Sequence, residues 1–432
     1  MKKTLMGLLT LCMLLLASCS NRNTEALLLT VPKSTPMLAI ADVEKMGSRL
    51  GKDAPLPSDL NASWSILLEG DTEADLSTPV VVFQHKNATI ATVELKNADK
   101  FRSQVEEKSK KKFVHSDGVW CLDGATVFVC GNQAWLTAEY PRVESSDILG
   151  FTRLKEPESV LALDYSSEMA VSGHDVSYLF KLGGAMQSAS QSVYLNMLFD
   201  NAQYVGGYVD FKEGKAEGSA MVMNGDFLAA PLALELEQID SAALKEFRGK
   251  GNLFAAVALD KSLVEKVMGQ LKGLMRLPSQ FVEILESLDG NAVMACTLSG
   301  SSLFPRPSAL MLTFESEEAA QKAAEFIADI PTKPSDLSVR ASGRCAYFQF
   351  PQAEGVEISG LQGDFNDALL AVVMTTEGLD LSSNPKLQQN FKGFNLKCVR
   401  SGEGIQVKYE LLTPKGRNSL ESCLIMMHGS EK

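Results

Sequence analysis

Cysteine and histidine are the residues of this chain best suited to nucleophilic, redox or metal chemistry, and their spacing argues against most of it. None of the eight cysteines lies in a C-x-x-C motif, so redox and zinc-ribbon motifs are missing. No H-x-H or H-E-x-x-H pattern occurs among the four histidines, which are His85, His115, His174 and His428. No G-x-S-x-G elbow marks a nucleophilic serine, and no pair of carboxylates is singled out by spacing. The sequence therefore predicts no metal and no cofactor, and it identifies no catalytic residue.

Cys19 is the cysteine for which the surrounding sequence does indicate a chemical role. The chain opens with Met1-Lys2-Lys3 and a mostly apolar run from Leu5 to Ala17, which is too short to span a bilayer and is typical of a secretory signal peptide over residues 1–18. Leu16-Ala17-Ser18-Cys19 resembles the bacterial lipobox, in which the cysteine is acylated and becomes N-terminal. The alternative, an ordinary signal peptide with an incidental cysteine, is disfavoured because two small residues directly precede Cys19. We therefore expect lipidation of Cys19, by fatty acids such as palmitate.

The anchor defines the expected location and partners. Residues 19–30 should form a lipid-anchored linker, and Ser20 resembles the residue that follows the cysteine in outer-membrane lipoproteins. No acidic cluster follows Cys19, although surface-exported lipoproteins of Bacteroidota tend to carry one. The expected location is the periplasmic face of the outer membrane, and the cell surface is the alternative. The formal charge of −12 argues against a nucleic-acid partner, so the expected partners are the membrane, through the anchor, and an envelope protein.

The six cysteines that remain after Cys12 and Cys19 are expected to be buried free thiols, because most lie in apolar strand-like runs. They are Cys121, Cys130, Cys296, Cys345, Cys398 and Cys423. An exported protein can form disulfides, so pairing stays open. Asp123-Gly124 favours a two-residue hairpin turn, which would place Cys121 opposite Thr126 and keep Cys130 out of bonding distance.

Hydrophobic patterning predicts an α+β fold of antiparallel sheets with helices packed on one face, in two halves over 31–235 and 240–430. Each half closes with a predicted hairpin, one turning near Glu213-Gly214 and the other near Gly402-Glu403. Strand-then-helix openings are predicted where Met37–Ala41, Val160–Leu163 and Leu253–Leu259 each precede an aspartate that would cap a short helix.

A weak internal repeat links the two halves. Each contains a strand pair followed by a capped helix, and the predicted caps Asn97 and Ser316 are 219 residues apart. Further along, residues 114–118 parallel 339–343, and residues 132–136 parallel 366–370. The offset grows steadily, as duplication followed by loop insertion would produce.

These features together resemble a known family. The lipobox, the openings at Pro32–Asp42 and Pro157–Asp164, and the closing hairpins are similar to those of lipoproteins that contain domain of unknown function 4836. The resemblance covers nearly the whole chain after Cys19. It implies an exported lipoprotein and this fold, and no catalytic residue.

Two apolar helical stretches complete the prediction. Val264 to Met275 carries an apolar stripe at helical spacing, with a second helix expected to start at Pro278. Tyr178–Phe199 is less regular, and it is where we expect any ligand or partner groove, against the simpler interpretation that it covers the sheet. The sequence does not decide whether the chain is an enzyme. It favours a non-catalytic binding or scaffolding module, with a hydrolase acting on an envelope polymer as the alternative.

Overall fold

Antiparallel strands make up most of the structure, which is α+β as the sequence predicts. The computed structural model describes residues 24–50, 73–124, 126–137, 141–183, 198–233, 236–240, 247–274, 278–299, 302–331, 333–350, 356–357, 367–379, 381–382 and 384–427.

The described strands of the first half are β1 (Met37–Ala41), β2 (Val80–His85), β3 (Ala88–Glu94), β4 (Phe113–Ser116), β5 (Val119–Leu122), β6 (Val127–Cys130), β7 (Gln133–Thr137), β8 (Val176–Lys181), β9 (Tyr204–Lys212) and β10 (Lys215–Met223). Its described helices are α1 (24–29), α2 (Val43–Ser48), α3 (Ala98–Ser109), α4 (Ser145–Phe151) and α5 (Asp164–Val171).

The described strands of the second half are β11 (Lys250–Gly251), β12 (Leu253–Leu259), β13 (Leu288–Ser299), β14 (Ser302–Phe314), β15 (Ser338–Ser342), β16 (Cys345–Gln349), β17 (Val356–Glu357), β18 (Ala368–Thr375), β19 (Gly393–Ser401) and β20 (Gly404–Leu412). Its described helices are α6 (Lys261–Leu274), α7 (Ser279–Glu286), α8 (Glu317–Ala328), α9 (Pro385–Asn390) and α10 (Ser419–Met427).

Eighteen of the described strands form one continuous antiparallel sheet, and only β11 and β17 pair apart from it. Neighbouring strands across the sheet follow the order β4-β5-β6-β7-β3-β2-β1-β8-β9-β10-β20-β19-β18-β12-β13-β14-β16-β15. The two halves meet where β10 pairs with β20, from Lys215 opposite Leu412 to Met221 opposite Gln406. Each half therefore contributes its closing hairpin to the centre of the sheet.

The strand order is the same when each half is followed from its outer side to this junction. The first half runs β3-β2-β1-β8-β9-β10, and the second runs β14-β13-β12-β18-β19-β20. Helix α3 follows the β2–β3 hairpin, and α8 follows β13–β14. As predicted, the side chains of Asn97 and Ser316 cap these two helices, at 3.0 and 3.1 Å from the backbone nitrogens of Lys100 and Ala319. The parallel drawn between 132–136 and 366–370 is wrong in position, because β7 lies outside β3 whereas β18 lies between β12 and β19.

Helices cover both faces of the first half, which corrects the prediction that they lie on one face. Phe101 and Val105 of α3 pack on one side with Val80, whereas Ile148 of α4 packs on the other side with Phe83. The reason is in the strands: β2 and β3 are apolar on both sides, so both sides need cover. In the second half, α6, α7 and α8 pack on one side, where Phe314 and Ala320 lie in the core.

The N-terminal linker is shorter than predicted. Residues 24–29 form α1, and Leu27, Leu28 and Val31 are fully buried in the first core. These apolar side chains stabilise the fold only when they are packed, so the segment cannot serve as a free tether. Thr24, the first described residue, is itself buried and lies five positions after Cys19.

Two local predictions are wrong and one cap is absent. Val160–Ala162 forms a 3-10 turn rather than a strand, and Asp164 is the first residue of α5 rather than its cap. Tyr178–Lys181 belongs to β8, not to a helix, because its side chains alternate between the two faces of the sheet. Residues 184–197 of the predicted helical stretch lie outside the described residues.

The six cysteines are free thiols, as predicted, but only Cys296 is fully buried. The β5–β6 turn is longer than the predicted two residues, so Cys121 pairs with Phe128 rather than with Thr126. This register places Cys121 and Cys130 on the same side of the sheet, where both pack against the first core.

Candidate binding surface at the junction of the two halves

One face of the sheet around the junction is apolar and only half-buried. Its first row crosses seven neighbouring strands through Tyr178, Gly207, Ala220, Val407, Cys398, Leu370 and Val257. The next row runs through Val176, Val209, Gly218, Tyr409, Leu396, Val372 and Ala255. We call these two rows the central apolar face. Neither row contains a charged residue, and apart from Gly218 every member is half-buried.

Tyr409 lies on the central strand of this face and Tyr178 on its outer strand β8, with Gly207 and Gly218 on the two strands between them. The Tyr409 hydroxyl donates to the Tyr208 carbonyl oxygen at 2.9 Å, and its oxygen is 3.2 Å from the Tyr178 hydroxyl. Tyr409 lies over Gly218, where an added Cβ would be 2.5 Å from the phenol ring. Burial raises the pKa of both phenols, so they stay protonated and hydrogen-bonded. The pair joins β8 of the first half to β20 of the second.

The opposite side of the same strands is polar and forms an open groove of about 470 Å³. Glu217 and Glu410 face each other across the junction, and the Lys215 ammonium lies 2.8 Å from Glu217 and 2.5 Å from Glu410. Hydrogen bonds from Lys212 and Lys215 lower the pKa of Glu217, and those to Glu217 and Glu410 raise the pKa of Lys215 to about 12. Glu217 is therefore held ionised by its lysines, whereas a general acid requires a raised pKa.

A buried carboxylate ties α2 to the sheet. The side chain of Asp175 is fully buried and lies between Lys45, at 2.9 Å, and the Arg49 guanidinium. It also accepts a hydrogen bond from the backbone nitrogen of Phe211 at 2.7 Å. Each cation also bonds a backbone carbonyl, so both ends of the two ion pairs are held in place and the buried charge is neutralised. The cluster is structural in character, because it joins α2, β8 and β9.

Next to it, His174 and Asp210 form the one imidazole–carboxylate hydrogen bond among the described residues, at 2.9 Å from Nδ1. The His174 ring stacks on Tyr208 with centroids 3.5 Å apart. In the described part of the chain, no hydroxyl or thiol hydrogen-bonds the His174 ring, so the pair lacks the nucleophile of a catalytic triad.

Asp210 makes folding stability depend on acid pH. Burial acts to raise the pKa of Asp210, but hydrogen bonds from the Asp175 backbone and from His174, with the charges of His174 and Lys45, lower it overall. A carboxyl whose folded pKa lies below its unfolded value of about 3.9 stabilises the fold above that pH, and the contribution is lost as pH falls through the folded pKa.

We expect the urea concentration at the midpoint of unfolding to decrease for the wild type as the pH drops below about 4. Asp210→Asn should lower this midpoint at pH 7 and make it depend less on pH in the acid range. The control is the exposed Asp226→Asn, which should leave the profile unchanged. If the midpoint decreased equally in acid for the wild type and for Asp210→Asn, the pH dependence would not come from Asp210.

A second groove, of about 840 Å³, lies between α7 and α8. Its floor includes the apolar side chains of Ile284, Phe326 and Ile330, and its rim is acidic. The Glu318 carboxylate on this rim is 2.7 Å from Lys322, whose hydrogen bond lowers the pKa of Glu318. This groove between helices lies in the second half; of the stretch Tyr178–Phe199, where the sequence predicts a groove, residues 184–197 lie outside the described residues.

The structure brings few of the candidate residues together. Cys19 and His428 lie outside the described residues. His85, His115 and His174 lie in separate places, and no group of three or more His, Cys, Asp or Glu among the described residues is arranged to hold a metal ion. Tyr178 does lie on a candidate surface, but in a strand. The signal that could have identified this surface was in β12 and β18, whose apolar residues do not alternate with polar ones.

Among the described residues, no helix is both long and apolar enough to cross a membrane.

Comparison with known proteins gives little more. No protein-family model matches the chain, and no curated protein matches it. The structure has a weak likeness to crystal form I of TP0453, with a TM-score of 0.30 and 12% identity over 46% of this chain and 79% of that chain. Crystal form III of TP0453 gives a TM-score of 0.31 and 11% identity over 50% of this chain and 84% of that chain. A likeness of this size supports no argument about function.

Proposed function

We propose that this chain is an envelope lipoprotein of the outer membrane, held by acyl groups on Cys19, facing the periplasm and acting as a non-catalytic binding or scaffolding module. The lipobox supports the anchor, and the resemblance to lipoproteins with domain of unknown function 4836 agrees with it. Two or more acyl chains bind a membrane stably, whereas one binds only marginally.

The central apolar face is the observation that carries the binding role. Apolar patches that are not fully buried and lie beside polar residues mark interaction sites, and the two rows of this face are apolar and only half-buried. The polar groove behind it supports binding over general-acid catalysis, because Lys212 and Lys215 hold Glu217 as a carboxylate. The open shape of both grooves fits a binding or scaffolding surface.

A hydrolase acting on an envelope polymer is the second candidate, and the His174–Asp210 pair is the arrangement that favours it. An imidazole oriented by a carboxylate can act as a general base when a substrate or a water lies at its free nitrogen. The stacking of this ring on Tyr208 and its place beside buried Asp175 support a structural role instead.

We also propose that the two halves arose by duplication. The matching strand order supports this, as does the position of α3 and α8 after equivalent hairpins. Both helices pack on the same side of the continuous sheet, the side that carries Val80 in one half and Phe314 in the other. Among the described residues, four strands, β4–β7, lie outside β3 in the first half, whereas two, β15 and β16, lie outside β14 in the second.

The anchor is tested by Cys19→Ala. We expect this change to move the protein from the membrane fraction to the soluble fraction, because the acyl chains supply the apolar area that holds it to the bilayer. Membranes are washed with high salt and probed for the protein, and intact-mass measurement shows whether the signal peptide has been removed. Cys12→Ala, inside the signal peptide, is the matched control and should leave the protein in the membrane fraction. Retention of processed Cys19→Ala in washed membranes would refute the anchor.

A further inference from the structure

We propose that the central apolar face binds the hydrocarbon chains of lipids. This inference rests on the proposed function and names its ligand class.

The strands β12 and β18 of the second half are apolar on both sides, and among the described residues one side is fully buried whereas the other is half-buried. In β12, Phe254, Ala256 and Ala258 are buried, whereas the alternate residues Ala255 and Val257 stay half-exposed on the central apolar face. β18 repeats the pattern, with Ala371 and Val373 buried and Val372 half-exposed. Strands that are apolar on both sides are typical of sheets covered on both faces. An apolar ligand would complete the cover.

The hydrogen-bonding groups on this face are already satisfied. The two tyrosine hydroxyls bond each other, and Tyr409 also bonds the Tyr208 carbonyl. The backbone of β10 and β20 is paired on both sides, so a peptide cannot add as an extra strand here. A protein partner would be expected to meet polar groups as well as apolar ones. A hydrocarbon chain needs no polar partner, and this surface offers none.

The dimensions of the face fit an acyl chain. Seven neighbouring strands at about 4.8 Å spacing span roughly 29 Å across the sheet. One leaflet of a bilayer has a hydrocarbon depth of about 15 Å, which sets the length of a lipid tail. A tail can therefore lie along either row of the face without leaving it.

The tether would keep lipid within reach. Thr24 is buried and is the fifth residue after Cys19. Five residues reach at most about 18 Å when fully extended. An acylated Cys19 would thus hold the fold at the membrane surface, where lipids are concentrated.

The test compares two lysine substitutions at adjacent positions of β20. Val407 lies on the central apolar face and Gln406 on the opposite face, and both are half-buried. The processed full chain carrying Cys19→Ala is titrated with cis-parinaric acid, and the fluorescence gives the dissociation constant. We expect saturable binding that Val407→Lys weakens at least about tenfold, because an ammonium group on the face must be desolvated under the acyl chain. Gln406→Lys should bind as tightly as the parent.

A second measurement needs no substitution on the face. A diazirine-bearing palmitic acid is photo-crosslinked to the parent chain, and peptide mass spectrometry should find adducts on β18, β19 and β20 at Val372, Leu396 and Val407. Adducts elsewhere, absence of saturable binding, or equal loss of affinity in Val407→Lys and Gln406→Lys would overturn the proposal. These results are independent of the anchor: release of Cys19→Ala from membranes with no lipid binding would refute this inference alone.

Discussion

Asp175→Ala is expected to destabilise the protein by about 3 kcal/mol, measured as the free energy of unfolding in urea. Removing the fully buried carboxylate leaves the backbone nitrogen of Phe211 without its 2.7 Å acceptor. It also leaves Lys45 and Arg49 close together without their common counter-charge. Breaking a buried ion pair costs about 3–5 kcal/mol, and we expect the low end because both cations are about one-third exposed and can rehydrate.

The matched control for Asp175→Ala is Asp99→Ala. Asp99 also pairs with an arginine, Arg102 of α3, but its side chain is 86% exposed. An exposed pair of this kind contributes about 0.5 kcal/mol or less, because water and salt screen it. If Asp175→Ala and Asp99→Ala lowered the free energy of unfolding by the same small amount, the ion pairs of Asp175 would not be what holds α2 to the sheet.

Gly218→Ala is expected to cost about 3 kcal/mol of unfolding free energy, at the upper end of the range for overpacking. An added Cβ would lie 2.3 Å from the Tyr208 carbonyl oxygen and 2.5 Å from the Tyr409 ring. The carbonyl belongs to the β9 backbone and cannot move without disturbing the β9–β10 ladder. The strain would fall where β10 meets β20, so the two halves should lose stability together.

Gly47→Ala provides the comparison for Gly218→Ala. Gly47 lies in α2, and a Cβ added there meets nothing within 4 Å. Alanine is the better helix former, so Gly47→Ala should stabilise by up to about 1 kcal/mol. Urea unfolding of both variants measures the contrast, and a Gly218→Ala variant as stable as the parent would show that the strands separate easily at the junction.

Local order was largely predictable from the sequence. The caps at Asn97 and Ser316 and the helix start at Pro278 were all confirmed. The closing hairpins were confirmed too, with Gly214 and Gly402 in their turns at positive φ. These features depend on residues within a few positions of each other, so short-range geometry decides them. Prediction failed at Tyr178–Lys181, where an apolar run without clear periodicity fits a strand and a helix equally well.

The candidate surface was harder to predict because it is built from long-range pairings. Tyr178 and Tyr409 are 231 positions apart, and nothing in either neighbourhood indicates the other. The sequence signal nearest to the surface was the unbroken apolar character of β12 and β18, which indicates burial on both sides but not what covers each side.

By itself, the sequence determined the α+β class, the antiparallel hairpins, the helix caps and the prediction of an anchor at Cys19. Only the tertiary structure decided that the two halves share one sheet through β10 and β20, and that the apolar rows of seven strands align into a single half-exposed face. The physical reason is that side chains alternate along a strand, so the sequence shows which residues of one strand share a side. Strand order and register then decide which sides of different strands lie next to each other in the sheet. At the junction itself, the close contact between Gly218 and the Tyr409 side chain exists only once the halves have met.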